Sequence, residues 1–324
     1  MKAVLCTHFG TAQDLELQDI APPQAGPGEA VVRVKAAALN FFDTLIIAGK
    51  YQYKPPFPFS PAAEFSGVVE SIGLGVTEVA PGDRVMGHMG WGAAREAVAV
   101  PVRQLAKIPD TLDFERAAGL NVIYATTLYA LRERADLKPG ETLAVLGASG
   151  GTGLAAIELG KMMGARVIAC ASSDEKLAFA REHGADETVN YASENLRDAL
   201  RKLGGEHGID VVYDPVGGPY AEPAVRSLAW LGRYLVVGFA AGEIPKLPLN
   251  LVLLRGCDIR GVFWGAWLRR EPEAQRAIMT NIVTWCAEGK LSAHVHAVYP
   301  LADIATALKA ISDRKVMGKI LLRP

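Results

Sequence analysis

The sequence predicts a mixed α/β protein in which a β-rich module precedes a parallel sheet covered by helices on both faces. The first third holds short segments rich in Val and Ala that Pro and Gly separate, which is typical of a compact β module. After residue 140, apolar strand patterns alternate with helical patterns, which indicates parallel strands joined by helices. A glycine-rich turn, residues 147–153, lies between the first strand and the first helix of this alternation.

The strand and helix patterns can be placed in order along the chain. Candidate strands of the first third lie at 2–8, 29–38, 66–73, 83–88 and 94–100. Helical patterns follow at 111–116 and 124–135, and the alternation then runs through strand 142–146, helix 153–163, strand 166–171, helix 174–182, strand 211–213, helix 221–228 and strand 234–237. The last part holds helical patterns at 274–287 and 301–311 and a final strand at 319–322.

The composition is that of a globular protein of about two domains. At roughly 150 residues per domain, 324 residues exceed one small domain, and the 50% of hydrophobic residues exclude global disorder. The 34 basic residues nearly balance the 35 acidic residues, which argues against a generic nucleic-acid-binding protein. No segment approaches about 18 uninterrupted apolar residues, and the N-terminus lacks a signal-peptide pattern. We therefore expect no membrane span and a cytoplasmic location.

The cysteines are far apart in the sequence and form no C-x-x-C pair, so a structural zinc site is not expected. We predict buried free thiols. The four residues are Cys6, Cys170, Cys257 and Cys286.

The glycine turn carries most of the functional information. It has the form Ala148-x-Gly150-x-x-Gly153, a G-x-G-x-x-G pattern with Ala in the first place. Gly150 and Gly151 let the backbone approach a pyrophosphate, and Gly153 lets the helix pack closely on the strand. Free N–H groups at the helix start then hold the phosphates. The predicted dinucleotide-binding residues of this turn are Ala148, Ser149, Gly150, Gly151, Thr152 and Gly153.

The end of the second strand of the alternation favours NADPH over NADH. An NAD site places a carboxylate there, on the ribose 2′-OH, whereas this chain has Ser172. Ser172 can bind a 2′-phosphate, and Lys176 can supply the charge. Asp174 complicates this assignment, and its alternative role is that of an acid in the first turn of a helix. Tyr191 is a candidate to stack near the adenine, and the alternative is a tyrosine in a surface turn.

Six motifs occur in a fixed order along the whole chain. They are Asn40-Phe41-Phe42-Asp43, residues 61–69, Pro81-Gly82-Asp83-Arg84-Val85, the glycine turn, Asp214-Pro215-Val216-Gly217-Gly218 and Gly318-Lys319-Ile320. Together they resemble the zinc-independent NADPH:quinone oxidoreductases, the zeta-crystallin-like branch of the medium-chain dehydrogenase/reductase superfamily. The resemblance implies a GroES-like catalytic domain, 1–122 and 266–324, and a Rossmann NADPH-binding domain, 123–265. It also implies a homodimer.

The same resemblance bears on the metal. Zinc alcohol dehydrogenases of the superfamily place a Cys near the start of the active-site loop and a His-Glu pair in the following segment. The matching positions here are Asn40 and Ala63-Glu64. Because Asn and Ala replace thiolate and imidazole ligands poorly, we expect no catalytic zinc. Glu64 is instead expected to be a buried carboxylate, either hydrogen-bonded or paired.

A site without a metal favours hydride delivery to an electron-poor carbon, because no Lewis acid stabilises an alkoxide. Quinones and other conjugated carbonyl compounds suit this chemistry. The resemblance places Asn40, Asp43 and Tyr51 in the active site. The candidate substrate contacts are Tyr51, Tyr53 and Phe263, and the alternative for Tyr53 is a packing residue beside Pro55 and Pro56. Asp43 has an alternative role as the cap of a helix that starts at Thr44.

Further candidates for the cofactor follow from the resemblance and from the carboxyl ends of the later strands. They are Thr126 (or Thr127), Val237, Gly238, Phe239, Phe263, Trp264 and, near the C-terminus, Lys319 or Arg323. For Phe263 and Trp264, core or dimer contacts are the alternative. The apolar segment 247–254 is a candidate edge-strand dimer interface.

Two other functions stay open at this point. One is the reduction of enones or enoyl thioesters, which shares the fold and the cofactor. The other is a non-catalytic, NADPH-binding role, crystallin-like or RNA-binding.

Overall fold

The computed structural model describes all residues, Met1–Pro324, and the chain divides into two compact units. The first unit comprises Met1–Val122 and Met279–Pro324, and the second comprises Ile123–Ile278. Residues 266–278, which the sequence-based limits assign to the first unit, lie in the second. One contact that keeps them there is the hydrogen bond from Trp264 Nε1 to Gln275 Oε1, 2.8 Å.

Fifteen strands and eleven α-helices make up the two units. In chain order the strands are β1 (Lys2–Leu5), β2 (Glu16–Asp19), β3 (Glu29–Leu39), β4 (Glu64–Ile72), β5 (Arg84–His88), β6 (Ala97–Pro101), β7 (Leu105–Lys107), β8 (Thr142–Leu146), β9 (Arg166–Ala171), β10 (Glu187–Asn190), β11 (Ile209–Asp214), β12 (Leu228–Val236), β13 (Asp258–Gly261), β14 (Val295–Pro300) and β15 (Lys319–Arg323). The α-helices are α1 (Phe41–Ile47), α2 (Phe114–Ala118), α3 (Leu120–Leu128), α4 (Gly151–Met162), α5 (Asp174–Glu182), α6 (Leu196–Gly204), α7 (Ala221–Val225), α8 (Leu249–Arg255), α9 (Trp264–Arg270), α10 (Pro272–Ala287) and α11 (Ile304–Ser312).

Shorter helical segments complete the backbone. Turns of 3₁₀ helix lie at Ala12–Asp14, Val102–Gln104, Gly218–Tyr220 and Leu301–Asp303, and a π-helical segment, Tyr129–Arg134, continues α3. None of the helices combines the length and the hydropathy that crossing a membrane requires.

The first unit is built on a seven-stranded sheet with the order β14-β15-β3-β4-β5-β7, in which β6 also pairs with β3. The pairs are antiparallel except for β14 with β15. Strand β15 returns to the N-terminal strands, and Leu321 lies opposite Ala38 of β3. Residues such as Val32, Phe65 and Val85 are fully buried in the core of this unit. This is the predicted GroES-like β-rich module.

The second unit contains a six-stranded sheet with the order β10-β9-β8-β11-β12-β13. All five neighbouring pairs are parallel. The strands β8, β9 and β11 are buried almost throughout, because helices cover a parallel sheet on both sides. The strand order reverses between β8 and β11, which is the topological switch point of a Rossmann fold. The predicted fold class is therefore confirmed.

Of two expectations about local structure, the one for segment 247–254 is wrong and the one for the cysteines is confirmed. The apolar segment at 247–254 is not an edge strand, because it forms α8, which Gly256 ends in the left-handed conformation. Leucine is a good helix former, and a left-handed glycine is a common helix terminator. The edge strand of this sheet is β13 instead. All four cysteines are buried and free, as predicted.

Candidate functional site

The glycine turn places the start of α4 directly against the end of β8. Gly147 has a φ of +61°, a conformation that glycine adopts without strain. At Gly153 an added Cβ would lie 2.2 Å from the Gly147 carbonyl oxygen and 2.8 Å from Ala148 Cα. A side chain at Gly153 would therefore displace the helix from the strand, which is the packing role predicted for this glycine.

The start of α4 is open for an anion. Gly150 is the N-cap residue and provides no side-chain cap, so the N–H groups of the first turn keep no intrahelical acceptor. The first helical hydrogen bond runs from Leu154 N to Gly150 O, 2.8 Å. An added Cβ at Gly150 would meet nothing closer than 3.4 Å, so the turn leaves room above this residue. These features fit a dinucleotide pyrophosphate.

The end of β9 presents a hydroxyl and an ammonium. Lys176 Nζ donates to Ser172 Oγ at 3.3 Å, and Ser172 is exposed. The Asp174 carboxylate accepts a hydrogen bond from Asn190 Nδ2 at 2.7 Å, so it is engaged by the neighbouring strand β10. This contact, which sequence analysis did not foresee, orients the Asp174 carboxylate but leaves its negative charge in place.

The loops after β11 and β12 meet at the same edge of the sheet. Asp214 ends β11, and its buried carboxylate accepts the N–H groups of Val216 at 2.6 Å and Gly217 at 2.8 Å and the hydroxyl of Tyr234. Val237 N donates in turn to the Asp214 carbonyl at 2.9 Å. Burial raises the pKa of Asp214. Asp214 therefore builds the turn beside the glycine loop, a role that its position at a strand end within a glycine motif could have indicated.

The other cofactor candidates of the second unit differ in their surroundings. Gly238 and Val237 are half-buried, Phe239 and Phe263 are exposed, and Trp264 is buried with its indole N–H on Gln275. The Tyr191 ring lies 4.3 Å from the Tyr220 ring. Thr126 is half-buried, whereas Thr127 is buried and shares a hydrogen bond of 2.9 Å with the Tyr213 hydroxyl. Of the two threonines, Thr127 is the one whose hydroxyl is bound within the core.

The first unit contains a buried polar cluster, which we call the Glu64 cluster: Asn40, Asp43, Glu64 and Lys319. Glu64 is fully buried and pairs with Lys319 Nζ at 2.8 Å. Its carboxylate also accepts Asn40 Nδ2 at 3.0 Å and the N–H of Val122 at 2.8 Å. The predicted buried and paired carboxylate is confirmed.

Lys319 has all its hydrogen-bond partners within the first unit. Its ammonium is enclosed by the Leu39 carbonyl, Asn40 Oδ1 and Glu64 Oε1, all between 2.7 and 2.9 Å away. Arg323 binds Glu115 at the surface, 2.7 Å away. Both candidates are therefore bound by groups of the first unit, and their approach to a cofactor stays a prediction.

Asp43 does not cap a helix at Thr44. Helix α1 begins at Phe41 with Asn40 as its N-cap, and Asp43 is the third helical residue. Its carboxylate accepts Asn40 N at 2.7 Å, one half of a capping box, and Ala62 N at 3.1 Å. Ala62 has a φ of +64°, which costs a non-glycine residue about 1–2 kcal/mol. Asp43 therefore holds a strained turn as well as the helix start.

The electrostatics of the cluster are governed by burial. Burial raises the pKa of Asp43 to about 7, against the opposing effects of the two backbone N–H groups and the Lys319 ammonium. Burial also lowers the pKa of His88, beside Glu64 in the sheet, to about 4. His88 is therefore neutral near pH 7.

Three aromatic rings extend the first unit's site from α1. Tyr51 stacks on Phe42 with ring centroids 5.5 Å apart, and Tyr53 lies 5.9 Å from Tyr51. Burial raises the pKa of Tyr51, so its phenol stays protonated and can donate a hydrogen bond.

Comparison with known proteins identifies the family. Residues 26–110 match the alcohol dehydrogenase GroES-like domain, and residues 151–280 match the zinc-binding dehydrogenase family. The chain is 39% identical over 322 residues to quinone oxidoreductase-like protein 2 of Rattus norvegicus, covering 99% of this chain and 91% of that protein. It belongs to the zinc-independent, quinone oxidoreductase-like medium-chain dehydrogenases/reductases. It is therefore an oxidoreductase of this superfamily.

Two further members of the family support this assignment. A quinone oxidoreductase of Pseudomonas aeruginosa is 32% identical over 325 residues, covering 100% of this chain and 99% of that protein. The crystal structure of the Escherichia coli quinone oxidoreductase complexed with NADPH superimposes with a TM-score of 0.92, at 26% identity and full coverage of both chains.

One matched family is named for zinc, but this oxidoreductase has other chemistry at the corresponding positions. Asn40 and Ala63 offer no thiolate or imidazole, and the remaining carboxylate, Glu64, is bound by a lysine ammonium. Nowhere do three or more His, Cys, Asp or Glu side chains gather as a ligand set. The donor set does not fit zinc.

We predict that Asp43→Asn changes the pH dependence of stability. The folded-state pKa of about 7 lies above the unfolded value of about 3.9, so Asp43 stabilises the fold fully below pH 4 and loses this contribution as the pH rises through 7. The thermal midpoint of the wild type, relative to that of Asp43→Asn, should therefore fall between about pH 4 and pH 7 and change little at higher pH. The control Asp110→Asn, at a side chain that is 96% exposed, should follow the wild type. Parallel curves for all three proteins would contradict the assignment.

Proposed function

We propose that this oxidoreductase uses NADPH to reduce quinones or similar conjugated carbonyl compounds by hydride transfer. The observation that carries the proposal is the end of β9, where the Lys176 ammonium lies 3.3 Å from the Ser172 hydroxyl and Asn190 binds Asp174. The NADPH complex of the E. coli quinone oxidoreductase, whose fold matches over the full chain, supports the same coenzyme. Quinone oxidoreductases among the relatives support the acceptor class.

The second unit is proposed to bind the coenzyme, which supplies the hydride. The N–H groups at the start of α4 bind the pyrophosphate, and Ser172 and Lys176 bind the 2′-phosphate. Tyr191, beside the end of β9 through its N–H bond of 3.1 Å to the Ala171 carbonyl, stacks near the adenine. Contacts with the rest of the coenzyme are assigned to Thr126, Val237, Gly238, Phe239, Phe263 and Trp264.

The first unit is proposed to bind the acceptor. Tyr51 offers a protonated phenol and a flat face to a conjugated ring, and Tyr53 adds a second face. Phe263 is a further proposed substrate contact in the second unit. Asn40 and Asp43 hold the local backbone. Because the residues supply hydrogen bonds rather than a metal, the acceptor must spread the negative charge that develops on its oxygen by conjugation.

We also propose a homodimer. Strand β13 lies at the edge of the parallel sheet, and a sheet edge can pair with a second chain, although the Gly261 carbonyl already accepts Arg134 Nε at 3.0 Å. Nearby, Leu253, Leu254 and Trp230 are each more than 70% exposed, although Trp230 packs close to Gly256 at the end of α8.

Sedimentation should show a dimer for the wild type and a monomer for Leu253→Lys/Leu254→Lys. The control Leu74→Lys, at an exposed leucine of the first unit, should stay dimeric. A monomeric wild type would refute the dimer.

Replacing Lys176 should change coenzyme preference. We predict that Lys176→Ala weakens NADPH binding by about 1–3 kcal/mol, as expected for a lost charge-assisted contact, and leaves NADH binding unchanged. Fluorescence titration of both coenzymes provides the measurement, and Lys202→Ala, at an exposed lysine of α6, is the control. Equal losses for NADPH and NADH would show that Lys176 does not contact a 2′-phosphate.

Substitutions at two glycines of the turn should differ in their effects on NADPH binding and on the thermal midpoint. Gly150→Val should abolish NADPH binding and leave the thermal midpoint unchanged, because the fold has room at Gly150. Gly153→Ala should lower the thermal midpoint as well, since its methyl group collides with the Gly147 carbonyl and overpacking costs about 1–3 kcal/mol. Retained NADPH binding by Gly150→Val would show that the pyrophosphate lies elsewhere.

An acceptor panel tests the reaction itself. The rate of NADPH oxidation is measured with quinones, enones and enoyl thioesters, and we expect turnover of quinones. Turnover of enones or enoyl thioesters alone would make the protein a reductase of activated alkenes. Tight NADPH binding without turnover of any acceptor would favour a non-catalytic role, crystallin-like or RNA-binding.

A further inference from the structure

One lysine ammonium is buried in the first unit with a partner for each of its hydrogens. The Lys319 side chain is 4% exposed, and its Nζ donates to the Leu39 carbonyl, Asn40 Oδ1 and Glu64 Oε1. An ammonium has three donors, so its capacity is filled. The stem of Lys319 packs against Gly119, where an added Cβ would lie 3.2 Å from Lys319 Cγ. The position of the ammonium is therefore closely defined.

This ammonium orients the Asn40 side chain. Asn40 Oδ1 accepts from Lys319 Nζ at 2.7 Å, and Asn40 Nδ2 donates to Glu64 Oε1 at 3.0 Å. The cation requires the oxygen end of the amide and the carboxylate requires the nitrogen end, so only one orientation satisfies both.

The orientation of Asn40 extends into α1. Asn40 is the N-cap of this helix, and its own N–H is bound by Asp43 in the first turn. Phe42, also in the first turn, stacks on Tyr51. A shift of Asn40 would therefore move Phe42 and, with it, the Tyr51 ring on which the proposed acceptor site depends.

We propose that Lys319 is a positioning residue of the acceptor site: its ammonium holds the Asn40 amide and thereby the α1 N-terminus against which Tyr51 packs. The inference deepens the proposed function and rests on it. The other charged or titratable groups that face the ammonium are Glu64 and Asp43, and His88 lies on the far side of Glu64 in the sheet.

The main test uses a variant that removes both buried charges. Lys319→Met alone leaves the Glu64 carboxylate buried without a cation, which endangers folding, so Glu64→Gln/Lys319→Met is the informative protein. We expect its kcat/KM for the acceptor to fall on the order of tenfold to a hundredfold, the range that small misplacements cause. Its affinity for NADPH should not change. Lys309→Met, at an exposed lysine on α11, is the control and should behave as the wild type.

A second variant keeps the cation. Lys319→Arg retains the positive charge, but its planar head does not match three acceptors arranged for an ammonium. We expect a folded protein with a raised KM for the acceptor and an unchanged KM for NADPH. A role in stability alone would lower the thermal midpoint and leave both KM values unchanged, and that result in either variant would overturn the proposal.

The proposal can also be tested by hydrogen exchange, which does not depend on turnover. Hydrogen exchange of residues 40–47 should be faster in both Lys319 variants than in the wild type and the Lys309→Met control. If the wild type reduces no acceptor, the proposed function fails, and this exchange measurement still decides the positioning role. Unchanged exchange in folded variants would overturn it.

Discussion

The buried pair of Glu64 and Lys319 is the interaction on which the first unit depends. It joins the start of β4 to the start of β15, and hydrogen bonds extend it to the cap of α1 and to Val122 in α3. Removing one partner of such a pair costs about 3–5 kcal/mol, because the other charge is left in a low-dielectric interior. The pair therefore links the four segments, and the polar residues near Tyr51 are ordered by contacts within the folded chain.

The candidate site of the second unit is held by different contacts. Its site has few ionic contacts and is shaped by backbone proximity, since Gly153 lies against the Gly147 carbonyl and Asp214 folds the next loop onto its own carboxylate. A parallel sheet places the carboxyl ends of its strands at one edge, so a few small residues there suffice to leave helix N–H groups accessible. The first unit thus shapes its candidate site with a network of buried charges. The second unit shapes its candidate site with glycines, which leave the backbone accessible.

The local features of the fold could be predicted from the sequence because each leaves a short pattern. The glycine turn and the apolar strands of the parallel sheet belong to this class, whereas the expected burial of Glu64 follows from the family resemblance. Contacts over long separations could not be predicted in the same way. Lys319 is 255 residues from Glu64, and its motif, Gly318-Lys319-Ile320, does not indicate this partner. Edge strands such as β13 and β14, with mixed polar and apolar residues, also lack the pattern that marks a buried strand.

The hydrogen bond between Asp174 and Asn190 would make coenzyme selectivity, in the proposed site, depend on two adjacent strands. A carboxylate near the ribose is the usual mark of the unphosphorylated nucleotide, and Asp174 is such a carboxylate. The amide of Asn190 leaves Asp174 charged and able to stabilise the first turn of α5, but it fixes the direction of the carboxylate. In the proposed site, the loss of this one amide on β10 would free Asp174 to turn toward a ribose, with Ser172 and Lys176 unchanged.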